Sequence, residues 1–258
     1  MKIVALIKQV PDTYGERKLS ATGVIVRGAK ESVIDEISER ALEIALSHKD
    51  KDKSTQVVAL SMGPESVTEA LRKALSLGAD SAVHVCDDQL VGADLVTTAR
   101  VLAAALKKEG FDLIVTGNQS SDGQGGTLPA MLAEHLSLPA ATALDSLEIN
   151  GTTLRAQRST DYASATVHTT LPAVVSVTER APEARFPNFR GIMSAKRKPL
   201  SALSLDDLDI DLGSDRSGGR SVVLTSTQRP ARTAGIKITD EGQAAAQLAE
   251  FLSAGRLI

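Results

Sequence analysis

A chain of 258 residues, 42% apolar and 24% charged, is long enough for one large domain or two small ones and has the mix of an ordinary globular protein. Its formal net charge of −3, from 29 basic and 32 acidic residues, excludes a strong global attraction to nucleic acid or acidic lipid, and 2% aromatics with no Trp argues against a base-stacking platform. A single cysteine, Cys86, excludes an internal disulfide and any CxxC metal or redox motif. The N-terminal apolar run is too short for a signal peptide and no stretch approaches about 18 apolar residues, so a cytoplasmic protein without membrane insertion is expected.

KIVALI, residues 2–7, is a continuous apolar run of the kind a strand buried on both faces shows. The polar stretch 11–30 predicts a small hairpin around residues 23–26, followed by a helix with Ile37, Ala41, Ile44 and Ala45 on one face. TQVVALS (55–61) is the second strand. The next helix has Pro64 in its first turn, Glu65 and Glu69 near its positive end, Arg72 and Lys73 nearer the other end, and Gly78 closing it. SAVHV (81–85) is a third strand. Residues 90–109 predict a long helix with Val91, Leu95, Leu102 and Leu106 inward, and DLIVTG (112–117) a fourth strand. A glycine-rich turn then leads into a helix ending at Leu136.

Strands alternating with helices of this length predict βαβ units and a parallel sheet, with ligands beyond the carboxyl ends of the strands near the point where strand order reverses. From about Ala141 the texture becomes β-rich, with Asn150-Gly151 a hairpin signal. Residues 180–200 read as irregular, with the basic cluster Lys196-Arg197-Lys198; 213–220 read as a linker, SVVLTST (221–227) as strand-like, and the end as a helix. Such a tail cannot bury much core alone and predicts docking on something else.

The segment GNQSSDGQGGT (117–127) is the chemical signal. A loop entering a helix N-terminus presents unpaired N–H groups and the positive end of the dipole, and Gly123, Gly125 and Gly126 allow close approach of an anion. Thr127 offers a hydroxyl, and Ser120 or Gln124 a further contact; the alternative is a tight turn with no ligand. No GxxxxGK[ST] and no GxGxxG is present, because the loop has no lysine and Leu128 stands at the third glycine position. His48, His84, His135 and His168 have no metal-binding spacing, and no GxSxG elbow exists. These features describe a nucleotide cradle without catalytic residues.

The segments IKQVPD (7–12), SMGPESVTEALRKALSLGAD (61–80), GNQSSDGQGGT (117–127), LPAVVSVTE (171–179), GIMSAKRK (191–198) and RTAG (232–235) together resemble the beta subunit of electron transfer flavoproteins, over essentially the full chain. The resemblance implies an α/β fold: a parallel twisted sheet with flanking helices, adenine-nucleotide-binding and Rossmann-like, plus a β-rich extension and a C-terminal docking tail. It implies a nucleotide-binding domain over 1–212, and over 213–258 a linker and an arm packing on the partner subunit. The chain would be an electron carrier subunit rather than an enzyme, paired with an alpha subunit that holds most of the FAD. Electrons would come from flavin dehydrogenases, such as acyl-CoA dehydrogenases, and go to a membrane quinone oxidoreductase.

In this chain a structural AMP would be bound. The family's nucleotide contacts fall on Leu6, Asp35, Met62 and the segment Ser120, Asp122, Gly123, Gln124, Gly125, Gly126 and Thr127. Asp35 replaces an asparagine common in relatives, and a ribose hydroxyl could donate to it. The partner-recognition loop would be 180–198, with Phe189 as apolar anchor beside Phe186 and Arg190, and with Lys196, Arg197 and Lys198 facing an acidic partner; the alternative is that Phe189 packs on its own domain. Asp161-Tyr162-Ala163-Ser164 lacks the glutamate the family carries there. DGQGGT also lies between the AMP pattern and that of electron-bifurcating relatives, whose beta subunit holds a second FAD; AMP is the preferred reading. An ATP-binding stress-response module on the same architecture would end near residue 145, and the further residues count against it.

Overall fold

Alternate residues of the first strand, β1 (Lys2–Leu6), belong to different cores: Ile3 and Ala5 pack into one, Val4 and Leu6 into the other. This period-2 alternation with apolar residues on both sides is what a central strand of a helix-covered parallel sheet requires. The computed structural model describes residues 1–15, 18–20, 23, 25–27, 32–213, 223–227, 229–230 and 232–258. Two units divide the chain, Met1–Val223 and Leu224–Ile258.

In the first unit β1 is followed by β2 (Gln9–Pro11), β3 (Ser32–Ile34), α1 (Glu36–Lys51), β4 (Gln56–Met62), α2 (Val67–Leu77), β5 (Ser81–Val85), α3 (Leu95–Glu109), β6 (Leu113–Gly117) and α4 (Leu128–Leu136). Then come β7 (Ala140–Leu144), β8 (Ser146–Asn150), β9 (Thr153–Ser159), β10 (Ser164–Thr170), β11 (Ala173–Val177), α5 (Phe189–Ala195) and β12 (Leu200–Leu203). A seven-stranded sheet runs in the order β12-β5-β4-β1-β6-β11-β7, with every neighbouring pair parallel. Helices α1 and α2 pack on one face, α3 and α4 on the other. β8, β9 and β10 form a separate antiparallel sheet, with Gly151 at φ 61° in the expected hairpin turn. This is the expected α/β, Rossmann-like architecture.

Several expectations change in detail. Three of the strands after α4, β7, β11 and β12, join the main sheet, and AVVSV of β11 is buried on both faces there. Residues 180–200 are not irregular throughout: α5 starts at the Asn188 cap, whose side chain accepts from Gly191 N at 2.7 Å. The long helix begins at Leu95 rather than residue 90, capped by Asp94, so Val91 and Leu95 are 79% and 41% exposed, not inward. Likewise α2 starts at Val67, and Pro64 and Glu65 form the turn before it. Among the described residues the hairpin near 23–26 shows one antiparallel bridge, Leu19 with Ile25. Residues 223–227 are not a strand, while 221–222 and all of the linker except Gly213 lie outside the described residues.

In the second unit α6 (Ala244–Ala254) buries none of its residues. Leu248 and Phe251 on it are 52% and 56% exposed. Among the described residues no helix is long and apolar enough to cross a membrane.

Candidate functional site

β1 has β4 on one side and β6 on the other, and the chain leaves β1 toward α1 on one face and β6 toward α4 on the opposite face. The crevice between those departures is where a parallel sheet offers a ligand the carboxyl ends of its strands. Three loops meet there, and hydrogen bonds tie them together. Gln9 Nε2 donates to Ser66 O at 3.1 Å, joining the start of β2, just after β1, to the start of α2. Asp35 caps α1 by accepting from Ile37 N at 3.1 Å, and its other oxygen accepts from Ser121 N at 2.7 Å. Lys8 Nζ donates to Ser120 Oγ at 2.9 Å and to Asp122 Oδ1 at 2.7 Å.

Asp35 therefore lies beneath the glycine loop, 1% exposed, with both carboxylate oxygens engaged by backbone N–H groups. Its position supports the loop. Asp122 is also an anchor: Lys8 holds one oxygen, and Arg27 reaches the other through Nε and Nη2, both at 2.8 Å. Burial alone would push its carboxyl up, but the hydrogen bonds and charge of Lys8, with Ser120 and Arg27, hold it far below the ordinary 3.8. A loop with no lysine of its own thus receives two cations from elsewhere in the chain. Sequence spacing gave no sign of Arg27; Lys8, directly after β1, was the available signal.

The remainder of the loop turns outward. Residues 123–127 are exposed, and Gln124 sits at φ 48°, a left-handed conformation costing a non-glycine residue roughly 1 kcal/mol. Gly126, at φ 65°, has its nearest neighbour, Gln119 Oε1, 4.0 Å from where a Cβ would lie. Among the described residues the N–H groups of Gly125, Gly126 and Thr127 have no hydrogen-bond partner, and Thr127 precedes α4 without a side-chain capping bond. Leu95 lies against Gly125, where a Cβ would come within 3.0 Å of its Cδ1, which explains why it does not turn into the core. Leu6 is buried at the end of β1 and Met62 half-buried at the end of β4. Unpaired amides at a helix N-terminus, open space and nearby cations suit a phosphate. No group of three or more His, Cys, Asp or Glu residues able to hold a metal is present among the described residues.

The second candidate region is 180–198. Phe186 and Phe189 are 94% and 79% exposed, and Ile192 and Met193 on the following turn of α5 about half exposed, so the alternative in which Phe189 packs on its own domain does not hold. Arg190, Lys196 and Arg197 are exposed too. Lys198 is different: its Nζ donates to Leu75 O at 2.9 Å and Ala79 O at 2.6 Å, so it caps the end of α2. Burial lowers the pKa of this ammonium. His84, 3% exposed, bonds Gly63 O through Nε2 at 2.9 Å and is a satisfied core residue.

Residues 22–208 match the model of the electron transfer flavoprotein domain. The electron transfer flavoprotein subunit beta of Mycobacterium tuberculosis is 46% identical over 99% of both chains. The protein of that name from Bacillus subtilis is 38% identical over 82% of each, and that from Megasphaera elsdenii 31% identical over the whole of each. The chain belongs to the electron transfer flavoprotein beta subunits. The family match contains the glycine loop, Asp35, Met62 and the 180–198 segment, whereas α6 lies beyond it.

Proposed function

We propose that this chain is the beta subunit of a heterodimeric electron transfer flavoprotein, holding an AMP in the crevice between β1 and β6 while an alpha subunit holds most of the FAD. The observation that carries the nucleotide reading is the trio of unpartnered amides at residues 125–127, in a loop whose Asp122 is held by Lys8 and Arg27. The residues fit a nucleotide monophosphate. Gly125, Gly126 and Thr127 N–H would hold the phosphate, the Lys8–Asp122–Arg27 group, with one positive charge in excess, would favour the anion, and Leu6 and Met62 would flank the base. In this reading Asp122 is held by Lys8 and Arg27, and the nucleotide would be structural.

The FAD supplies the one-electron chemistry when bound. This chain's contribution is to shape the complex and to present Phe186, Phe189, Ile192 and Met193 to flavin dehydrogenases such as acyl-CoA dehydrogenases. A membrane quinone oxidoreductase would receive the electrons, and a cytoplasmic location fits that route.

The test is to coexpress the chain with its alpha subunit, denature the purified complex and quantify the released nucleotides. One FAD and one AMP per heterodimer are expected. Two FADs and no AMP would replace this reading with an electron-bifurcating one, in which the glycine loop holds a working flavin. ATP on this chain alone, with no partner, would overturn both.

A further inference from the structure

The exposed phenylalanines sit on a segment that is fastened at both ends. Glu43, in the middle of α1, is 8% exposed, and a carboxylate withdrawn from water needs full pairing. Arg185 supplies it. Its Nε donates to Oε2 and its Nη2 to Oε1, both at 2.8 Å, and its backbone N–H adds a third bond to Oε2 at 3.1 Å. Ser47 Oγ gives Oε1 a further bond at 2.8 Å, and Arg185 Nη2 also meets Asp50 Oδ2 at 2.8 Å. The guanidinium thus spans two turns of α1, one residue before Phe186. Upstream, Arg40 donates to Ala181 O.

At the far end Arg72 on α2 donates to Ala195 O at 2.8 Å and Lys198 O at 3.0 Å. Gly191 lies so close to α2 that a Cβ would stand 2.3 Å from Ser76 O. A surface segment closed only for stability would turn its phenylalanines inward. Here the Glu43 carboxylate at the fastening is buried and the apolar side chains face out.

We propose that Arg185, through its fork on Glu43, is a positioning residue for docking: it fixes the entry to α5 so that Phe186 and Phe189 meet the dehydrogenase already ordered. A loose segment would lose that freedom on binding, at a cost in affinity. The inference rests on the docking role given to residues 180–198 above.

The experiment measures reduction of the purified heterodimer by an acyl-CoA dehydrogenase and its acyl-CoA, with the heterodimer as varied substrate. Arg185→Ala is expected to raise KM for the heterodimer about tenfold or more, with kcat and the flavin spectrum unchanged. Glu43→Gln, which keeps the shape and loses the charge, should do the same, and Arg185→Lys, which keeps the charge and loses the fork, should fall between. Should Arg185→Ala fail to assemble, the other two variants carry the test. A raised KM in Phe189→Ala with none in the Arg185 and Glu43 variants would overturn the positioning role and leave docking intact. No change in Phe189→Ala either, or a wild-type heterodimer that the dehydrogenase does not reduce, would overturn the docking reading and this inference with it. A fall in kcat together with lost flavin would assign the pair to stability alone.

Discussion

Gly126 combines a φ of 65° with open space in front of it, so a side chain there meets backbone strain and, with the proposed nucleotide bound, competition for that space. Gly126→Ala brings only the backbone strain, roughly 1 kcal/mol. Gly126→Asp adds a carboxylate where the proposed phosphate would lie, and is expected to abolish nucleotide retention while the alanine variant keeps part of it. Nucleotide content of the denatured heterodimer measures both; full content in the aspartate variant would remove the phosphate from this loop. Asp122 acts at the same scale but through charge. Its pKa is depressed on folding, so its stabilisation is complete above the ordinary value of 3.8 and disappears as pH falls through the lower folded value. Asp122→Asn leaves Lys8 and Arg27, each 45% exposed, without a shared counter-charge. Discounted for their solvation, the loss should be about 1–2 kcal/mol at pH 7. In thermal unfolding followed against pH, the gap from wild type should be full at neutrality and narrow only below about pH 4.

At the scale of elements, the basic cluster after α5 divides by direction. Lys198 closes α2, where a cation meets the unpaired carbonyls of a helix end, and Lys196 and Arg197 are exposed. Lys198→Met should therefore lower stability by about 1 kcal/mol and leave the dehydrogenase's salt dependence alone. Replacing Lys196 and Arg197 by Gln should do the reverse, slowing association most at low salt with no shift in melting temperature. Stopped-flow reduction and thermal melts on the same preparations separate the two. The three neighbouring letters KRK carry no sign of this division, since it depends on which side chain faces back toward α2.

For the whole molecule, the second unit raises the question of what covers α6. The expected outcome is that it packs on the alpha subunit. Phe251→Glu, at a position 56% exposed in the isolated chain, should then leave the circular dichroism of this chain unchanged and prevent copurification of the alpha subunit. Unimpaired copurification would place the subunit contact elsewhere. The length, the alternation of strands and helices and the 2% aromatic content had already bounded the molecule as a nucleotide-type α/β chain with little capacity for stacking on nucleic acid.

Local patterns determined the central strands, the order of elements through α4 apart from the short pair β2 and β3, and the place of the glycine loop, because buried parallel strands and helix stripes leave continuous or periodic apolar signatures that short-range chemistry alone imposes. The same patterns were silent wherever the answer depended on a distant partner. AVVSV read as part of a β-rich extension, yet it is a central strand between β6 and β7, since an apolar run does not say which sheet will take it. Val91 and Leu95 fitted a helical stripe, but the Asp94 cap ended that register and the glycine loop offered Leu95 another surface. Asp35 and Asp122 were placed at the nucleotide by resemblance; only the assembled loops show their carboxylates meeting Ser121 N, Lys8 and Arg27. The Glu43–Arg185 pair joins residues far apart in the chain. Tertiary structure decided each of these because hydrogen bonds and ion pairs depend on direction and on a few ångströms, whereas hydrophobic patterning needs only a face.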